Sequence, residues 1–258
     1  MKRALLLIVV FIGVALTAHA TPKAGYVWTS LGDGFEYARI SFASGDTGDQ
    51  RITILHAFRV DPKKWRVDLL TPAPHETIGE WIDQMAKREG ALVAVNGGFF
   101  TPEHNSIGLL VKSGKKLSPL HNTSWWSVFV IQDGVPAILP PWKAKNATGF
   151  SMAVQAGPRL VVDGRVPELK QSKYAARTAL GITKDDKVII VATEGSGITM
   201  QTFAERLNDN RFNGGLECPN AMGLDGGSST QLYAKVGKVD LLLKGFSTVT
   251  NGVGVFKK

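Results

Sequence analysis

Cysteine is nearly absent, with Cys218 the only one in 258 residues. No intramolecular disulfide can form, so the fold must rest on its hydrophobic core. The same scarcity excludes a thiolate zinc cluster, and Cys218, beside Pro219 and without a recognisable partner, reads as a buried or inert thiol. Histidine is sparse too: His56, His75, His104 and His121 show neither HxH nor HExxH spacing, which removes the common short-range metal templates. Two further templates fail for want of single residues. No Lys follows Gly226-Gly227 as a P-loop requires, and Glu194-Gly195-Ser196-Gly197 lacks the spacing of a nucleophile elbow.

Long apolar runs are also missing, except at the start. There a basic pair, Lys2 and Arg3, precedes an apolar stretch at 4–16 and the small-residue end Ala18-His19-Ala20. That order is the layout of a cleavable export signal, and the stretch is shorter than the ~20 apolar residues of a membrane-spanning helix. Cleavage after Ala20 predicts a periplasmic or secreted chain of 258 − 20 = 238 residues, with no stable membrane insertion. Without Lys2 and Arg3 the charge balance is 28 basic against 22 acidic side chains, a net +6. This excess is dispersed, with no long basic run and no aromatics interleaved in one. It therefore gives nucleic-acid binding little support and favours attraction to anionic substrates or envelope polymers. Two triplets, Asn122-Thr123-Ser124 and Asn146-Ala147-Thr148, fit glycosylation acceptors but arise often by chance.

What the chain does have is many short runs rich in Val, Ile, Phe and Tyr. They occur at 35–42, 51–60, 65–70, 107–112, 126–131, 160–162, 187–193 and 252–256, and they predict strands. The dipeptides Ser113-Gly114, Asp133-Gly134 and Asp163-Gly164 supply the positive φ that tight hairpins need. Two stretches carry a helical period. In one, Ile78, Trp81, Ile82, Met85 and Ala86 share a face, Thr77 and Glu80 have capping-box spacing, and Gly90 ends the pattern. In the other, Met200, Phe203, Ala204 and Leu207 follow a Thr199 cap. The predicted fold is α+β, a single domain over residues 21–258, with a mixed, mainly antiparallel sheet and two principal helices packed on it.

Each helical stretch leads into a short apolar run and then a polar residue with two glycines: Asn96-Gly97-Gly98 and Asp225-Gly226-Gly227. The pattern predicts two glycine turns at ends of one sheet, whose N–H groups can form an anion-binding nest. The alternative is a pair of turns in which Asn or Asp bonds its own backbone. Glu194 ends the most strand-like run, where a carboxylate is a catalytic candidate, though a solvated loop glutamate reads equally well. Arg177 precedes Thr178-Ala179-Leu180, so its guanidinium stands at the start of a strand. It suits bidentate contact with a phosphate or, more plainly, a surface ion pair.

Taken in order, five blocks resemble the phosphodiester glycosidase family. They are Ala94-Val95-Asn96-Gly97-Gly98-Phe99-Phe100, Gln155-Ala156-Gly157-Pro158-Arg159-Leu160, Arg177-Thr178-Ala179-Leu180-Gly181, Leu224-Asp225-Gly226-Gly227-Ser228-Ser229 and Val249-Thr250-Asn251-Gly252-Val253. They span roughly residues 91–256, and residues 21–90 carry no motif of the family. One departure is Ser228, where the family often has a third glycine. The resemblance implies hydrolysis between a sugar's anomeric carbon and a phosphodiester oxygen. A phosphate leaves readily, so an anion clamp matters more than a strong general acid. Arg177 and the two glycine turns, with Ser228 and Ser229, fit that clamp. Asp225 is the first choice for the carboxylate and Glu194 the second. Asn96, Asn251 and Gln155 would contact the substrate. Bound calcium or magnesium is compatible with acidic residues and a phosphate substrate, but no ligand spacing demands it. The competing readings are a non-catalytic binding module for phosphate-bearing glycan and an accessory protein of exopolysaccharide assembly.

Overall fold

The computed structural model describes residues 25–44, 51–146, 148–170 and 173–258. The predicted export signal at 1–20, the predicted cut after Ala20, and Ala147 of the second glycosylation triplet lie outside the described residues.

Among the described residues the strands form three sheets. The first contains, in spatial order, β1 (Thr29–Gly32), β2 (Phe35–Ser44), β3 (Arg51–Val60), β13 (Val188–Gly195), β12 (Thr178–Ile182), β14 (Asn220–Gly223) and β11 (Arg159–Val161). The second runs β7 (Lys115–Ser118), β6 (Leu110–Lys112), β10 (Met152–Ala156), β8 (Ser127–Gln132), β9 (Val135–Leu139). The third runs β16 (Val239–Leu243), β15 (Leu232–Val236), β5 (Val93–Asn96), β17 (Gly252–Phe256), β4 (Arg66–Leu70). Every pairing is antiparallel, so the predicted mixed sheet is corrected. Tight hairpins account for much of this, because a two-residue connection can only join antiparallel neighbours. Ser113-Gly114, Asp133-Gly134 and Asp163-Gly164 all have positive φ at both residues, 47° and 78°, 52° and 75°, 48° and 75°. Those angles match the right-handed twist of the strands they join.

The eight predicted runs all contain strands. Those not predicted as strands include β7, whose Lys115, Lys116 and Ser118 leave no apolar run to read, and β16, whose Leu241–Leu243 run is short and only partly buried. The apolar interior lies between the sheets. Side chains alternate strictly: Val188, Ile190 and Ala192 of β13 enter the central cluster while Ile189 and Val191 face the opposite layer. Strands covered on both faces read as continuous apolar runs, as 187–193 does.

Among the described residues three α-helices cover the sheets: α1 (Ile82–Glu89), the single turn α2 (Pro141–Ala144) and α3 (Met200–Asn208). The Thr199 cap is present, its hydroxyl accepting from Thr202 N–H at 3.1 Å, and Met200, Phe203, Ala204 and Leu207 pack beneath the first sheet as predicted. For α1 the start is corrected. It begins at Ile82, Ile78 is exposed, and Glu80 instead accepts from Ala73 N–H and from Arg88. The orphan N–H of Ile82 is met from far along the chain, by the Gln231 amide oxygen at 3.1 Å. Gly90, left-handed at φ 78°, ends the helix as the sequence predicts.

α1 packs so closely on β17 that Gly252 is sterically required. A Cβ there would stand 2.5 Å from Ile82 Cδ1 and 2.8 Å from the Val95 carbonyl oxygen. Gly252→Ala is expected to destabilise the fold by about 1–3 kcal/mol through overpacking. A urea-unfolding midpoint equal to wild type would contradict this.

Candidate active site

The two glycine turns end strands of different sheets, not one: Asn96 closes β5 in the third sheet and Asp225 follows β14 in the first. They meet because the sheets abut at this edge. Asn96 is wholly buried and joins them, its Nδ2 donating to the Asp225 carbonyl at 2.7 Å and its Oδ1 accepting from Thr178 Oγ1 at 2.7 Å and Gln231 N–H at 3.2 Å. The Asp225 N–H returns a bond to the Gly97 carbonyl at 3.0 Å. Leu224 N–H donates to the Thr178 carbonyl and Gly227 N–H to that of Ala176, which ties the turn to the strand beginning after Arg177. The segments around 96, 177 and 225 thus form one edge.

The glycines do not form the predicted nest. Gly97 N–H donates to the Asn251 carbonyl, Gly98 N–H to Asn251 Oδ1 at 2.7 Å, Gly226 N–H to the Asp225 carboxylate at 2.9 Å and Gly227 N–H to Ala176. Buried amides must be satisfied inside the fold, and these four are. Glycine is needed at the first turn for close packing: a Cβ on Gly97 would sit 2.0 Å from Asn251 Oδ1, and one on Gly98 2.7 Å from the Gln155 carbonyl oxygen. The second turn is more open. Gly227 has φ 60° with nothing within 4 Å of its Cβ position, and Ser228 is exposed.

Asn251 and Gln155 are also wholly buried. Asn251 holds Gly98 and Ser106, while the Gln155 amide clasps Leu109 N–H and both backbone groups of His121 at 2.8–2.9 Å. Their observed contacts shape the walls of the site. Asp225 is half-buried, and burial raises its carboxyl above the ordinary range, against hydrogen bonds from Ser229 and Gly226 N–H. Arg177 is not a surface residue. Its guanidinium is buried, with Nη2 donating to the Lys173 carbonyl at 2.9 Å and Nε to that of Ile198 at 3.3 Å, and burial lowers its pKa. It lies against the Asp225 turn, since a Cβ on Gly226 would stand 3.9 Å from Nη1.

Glu194 lies two strands from Asp225 at the same edge. It continues the Val188, Ile190, Ala192 series of β13, so it faces the same side as Thr178 on β12. Half-exposed, it meets a residue absent from the predicted site: His56 Nε2 lies 2.8 Å from Glu194 Oε2, and His56 Nδ1 lies 2.8 Å from the Tyr37 hydroxyl. Burial lowers the His56 pKa, outweighing the opposing pull of Glu194. With the carboxylate as acceptor, Nε2 carries the proton and Nδ1 accepts from Tyr37. Among the described residues no three His, Cys, Asp or Glu side chains group to hold a metal ion, and no step below is routed through calcium or magnesium. A cavity of about 650 Å³ lies elsewhere, over Leu109, Val111 and Phe150, with Lys116 and Lys145 among its lining. It has no carboxylate or histidine with which to do acid–base chemistry.

The phosphodiester glycosidase family model matches residues 89–256, and the chain belongs to that family. In fold it is similar to the catalytic domain of zebrafish N-acetylglucosamine-1-phosphodiester alpha-N-acetylglucosaminidase auto-inhibited by its pro-peptide. That likeness has a TM-score of 0.69 at 18% identity and covers 91% of this chain and 89% of that one. A Synechocystis protein superposes with a TM-score of 0.61 at 16% identity, over 93% and 65% of the two chains. A Burkholderia pseudomallei protein gives 0.55 at 13%, over 81% and 75%. No curated protein matches in sequence.

The lowered His56 pKa has a sign that can be measured. The unfolded chain takes up this proton first, so the contribution of His56 is fully present above its unfolded pKa of about 6.5 and is lost as pH falls below it. His56→Gln removes the titration. The stability difference between wild type and variant should therefore shrink on going from about pH 8 to about pH 5. Unfolding free energies that track in parallel across that range would refute the assignment.

Proposed function

We propose that this protein is an exported hydrolase that cleaves the bond between a sugar's anomeric carbon and a phosphodiester oxygen, on an envelope or extracellular glycan. Family membership supports the reaction class. The observation that carries the reading is the Asp225 carboxyl, raised by burial, on a turn whose Gly226 lies against the Arg177 side chain at the sheet junction. Export rests on the tripartite segment at residues 1–20. In keeping with release as a water-exposed protein, no helix among the described residues is long and apolar enough to cross a membrane.

In this reading a water molecule attacks the anomeric carbon and gives a proton to Asp225. The carbon–oxygen bond breaks, and its electron pair leaves with the phosphate oxygen. The leaving phosphate needs no strong acid, since its own charge is delocalised and the nearby guanidinium offsets it. A general base works best when its pKa approaches ambient pH, and burial moves Asp225 in that direction. Glu194, steered by the Tyr37–His56 chain, supplies negative charge to the oxocarbenium-like transition state. Asn96 and Asn251 act as positioning residues, because they set the two turns on which the reacting groups ride.

Asp225→Asn separates chemistry from folding. Removing the base should lower release of sugar from a nitrophenyl sugar-1-phosphodiester by about 10²-fold or more. The folded-state pKa of Asp225 is raised, so its ionised form is less stable in the fold than in the unfolded chain. The amide variant should therefore be the more stable protein once pH rises above the ordinary carboxylate range. Full retained turnover would remove Asp225 from the mechanism. Tight binding of phosphodiester glycans with no turnover by wild type would favour a binding module instead.

A further inference from the structure

Exposed aromatic side chains stand on loops that build this edge. Phe246 is 92% exposed, yet its backbone is fixed: its N–H donates to the Ser228 carbonyl at 2.7 Å, and a Cβ on Gly245 would lie 2.4 Å from that same oxygen. The backbone from which the ring projects is thus fixed beside Ser228 of the Asp225 turn, and the ring stands in water. Trp125, 57% exposed, is braced from behind by Trp126 in an edge contact at 5.5 Å and by Phe99 at 6.5 Å, the residue following Asn96-Gly97-Gly98. Lys244 near Phe246 is exposed as well.

Isolated rings around a polar site differ from a contiguous apolar patch, which marks protein or membrane docking. Their faces suit a partner that presents small apolar C–H surfaces between many hydroxyls, and a pyranose ring does so. The rigid, low-entropy aromatic side chain makes such stacking favourable. We propose that Trp125 and Phe246 are platforms for sugar rings flanking the scissile phosphodiester, so that the substrate is a phosphate-bearing oligo- or polysaccharide rather than an isolated sugar phosphate. The inference rests on the hydrolase reading for what lies between the platforms, and the nearby lysine suits the negative charge of such a chain.

The test uses the full protein and its Trp125→Ala, Phe246→Ala and double variants, with Trp125→Phe as the conservative control. Calorimetry compares a simple sugar 1-phosphate with phosphodiester-linked oligosaccharides of increasing length. Wild type should bind the longer chains more tightly, each alanine variant should lose roughly tenfold of that gain, and Trp125→Phe should recover most of it. Affinity for the sugar 1-phosphate, and cleavage of the nitrophenyl substrate, should be unchanged in every variant. Both side chains are exposed, so folding is preserved, which a thermal melt verifies. Length-independent affinity in wild type, or alanine variants with undiminished affinity for long chains, overturns the platforms even if small diesters are cleaved. Length-dependent binding lost in the variants, with no diester cleaved by any form, upholds the platforms and discards the hydrolase.

Discussion

The buried carboxamide of Asn96 is the constraint on which the site depends. It donates to the Asp225 carbonyl and accepts from Thr178 and Gln231, so a single side chain ties β5, β12, the residue that precedes β15 and the Asp225 turn. In the low dielectric of the interior, truncating Asn96 would take this partner from the Asp225 carbonyl and the Gln231 N–H, and would leave Thr178 Oγ1 with the longer contact to Thr230 Oγ1 at 3.4 Å. An unpaired buried group costs about 1–3 kcal/mol. Aspartate could not substitute freely, because it has no N–H to give the Asp225 carbonyl. The edge between two sheets is thus specified by donor and acceptor count as well as by apolar fit.

Close approach follows from that tie. The glycines at 97, 98 and 252 each face a neighbour that a Cβ would strike, whether Asn251, the Gln155 carbonyl, or Ile82 with the Val95 carbonyl. Two backbones can share one small polar junction only where side chains are missing. The glycines that look like a phosphate nest in the sequence are therefore mostly packing devices, and their amides are consumed within the junction. Gly227, whose amide is also bonded to Ala176, differs in being left-handed with open space at its Cβ position, next to exposed Ser228.

Elements whose burial is local were legible from sequence. The run at 187–193 is covered on both faces and reads as a strand, and the Thr199 stripe reads as a helix because its cap and its apolar face lie within one segment. The start of α1 was not legible, since the group that meets Ile82 N–H is Gln231, 149 residues away. Thr77 and Glu80 have the right spacing but other partners. The same distinction governs the site. Asp225, Arg177 and Asn96 were readable because each stands at a strand end beside a glycine or a polar neighbour. His56 was not, because only the pairing of β3 with β13 and with β2 brings it to Glu194 and Tyr37. The one local sign was a histidine within the apolar alternation of residues 51–60, a position that burial makes expensive unless it is paired.

Electrostatics gives the junction its direction. Asp225 and Arg177 are shifted in opposite senses by one cause, removal from water, and each is less favourable as an ion here than in solvent. In the proposed reaction a phosphodiester anion enters beside both. It restores favourable charge to the guanidinium, and by like-charge repulsion it pushes the Asp225 pKa higher still. Substrate binding would then strengthen the base that acts on it, a gain absent from the free protein. The limit on that gain is set by the bonds from Ser229 and Gly226 N–H, which favour the carboxylate form and oppose the rise that burial causes.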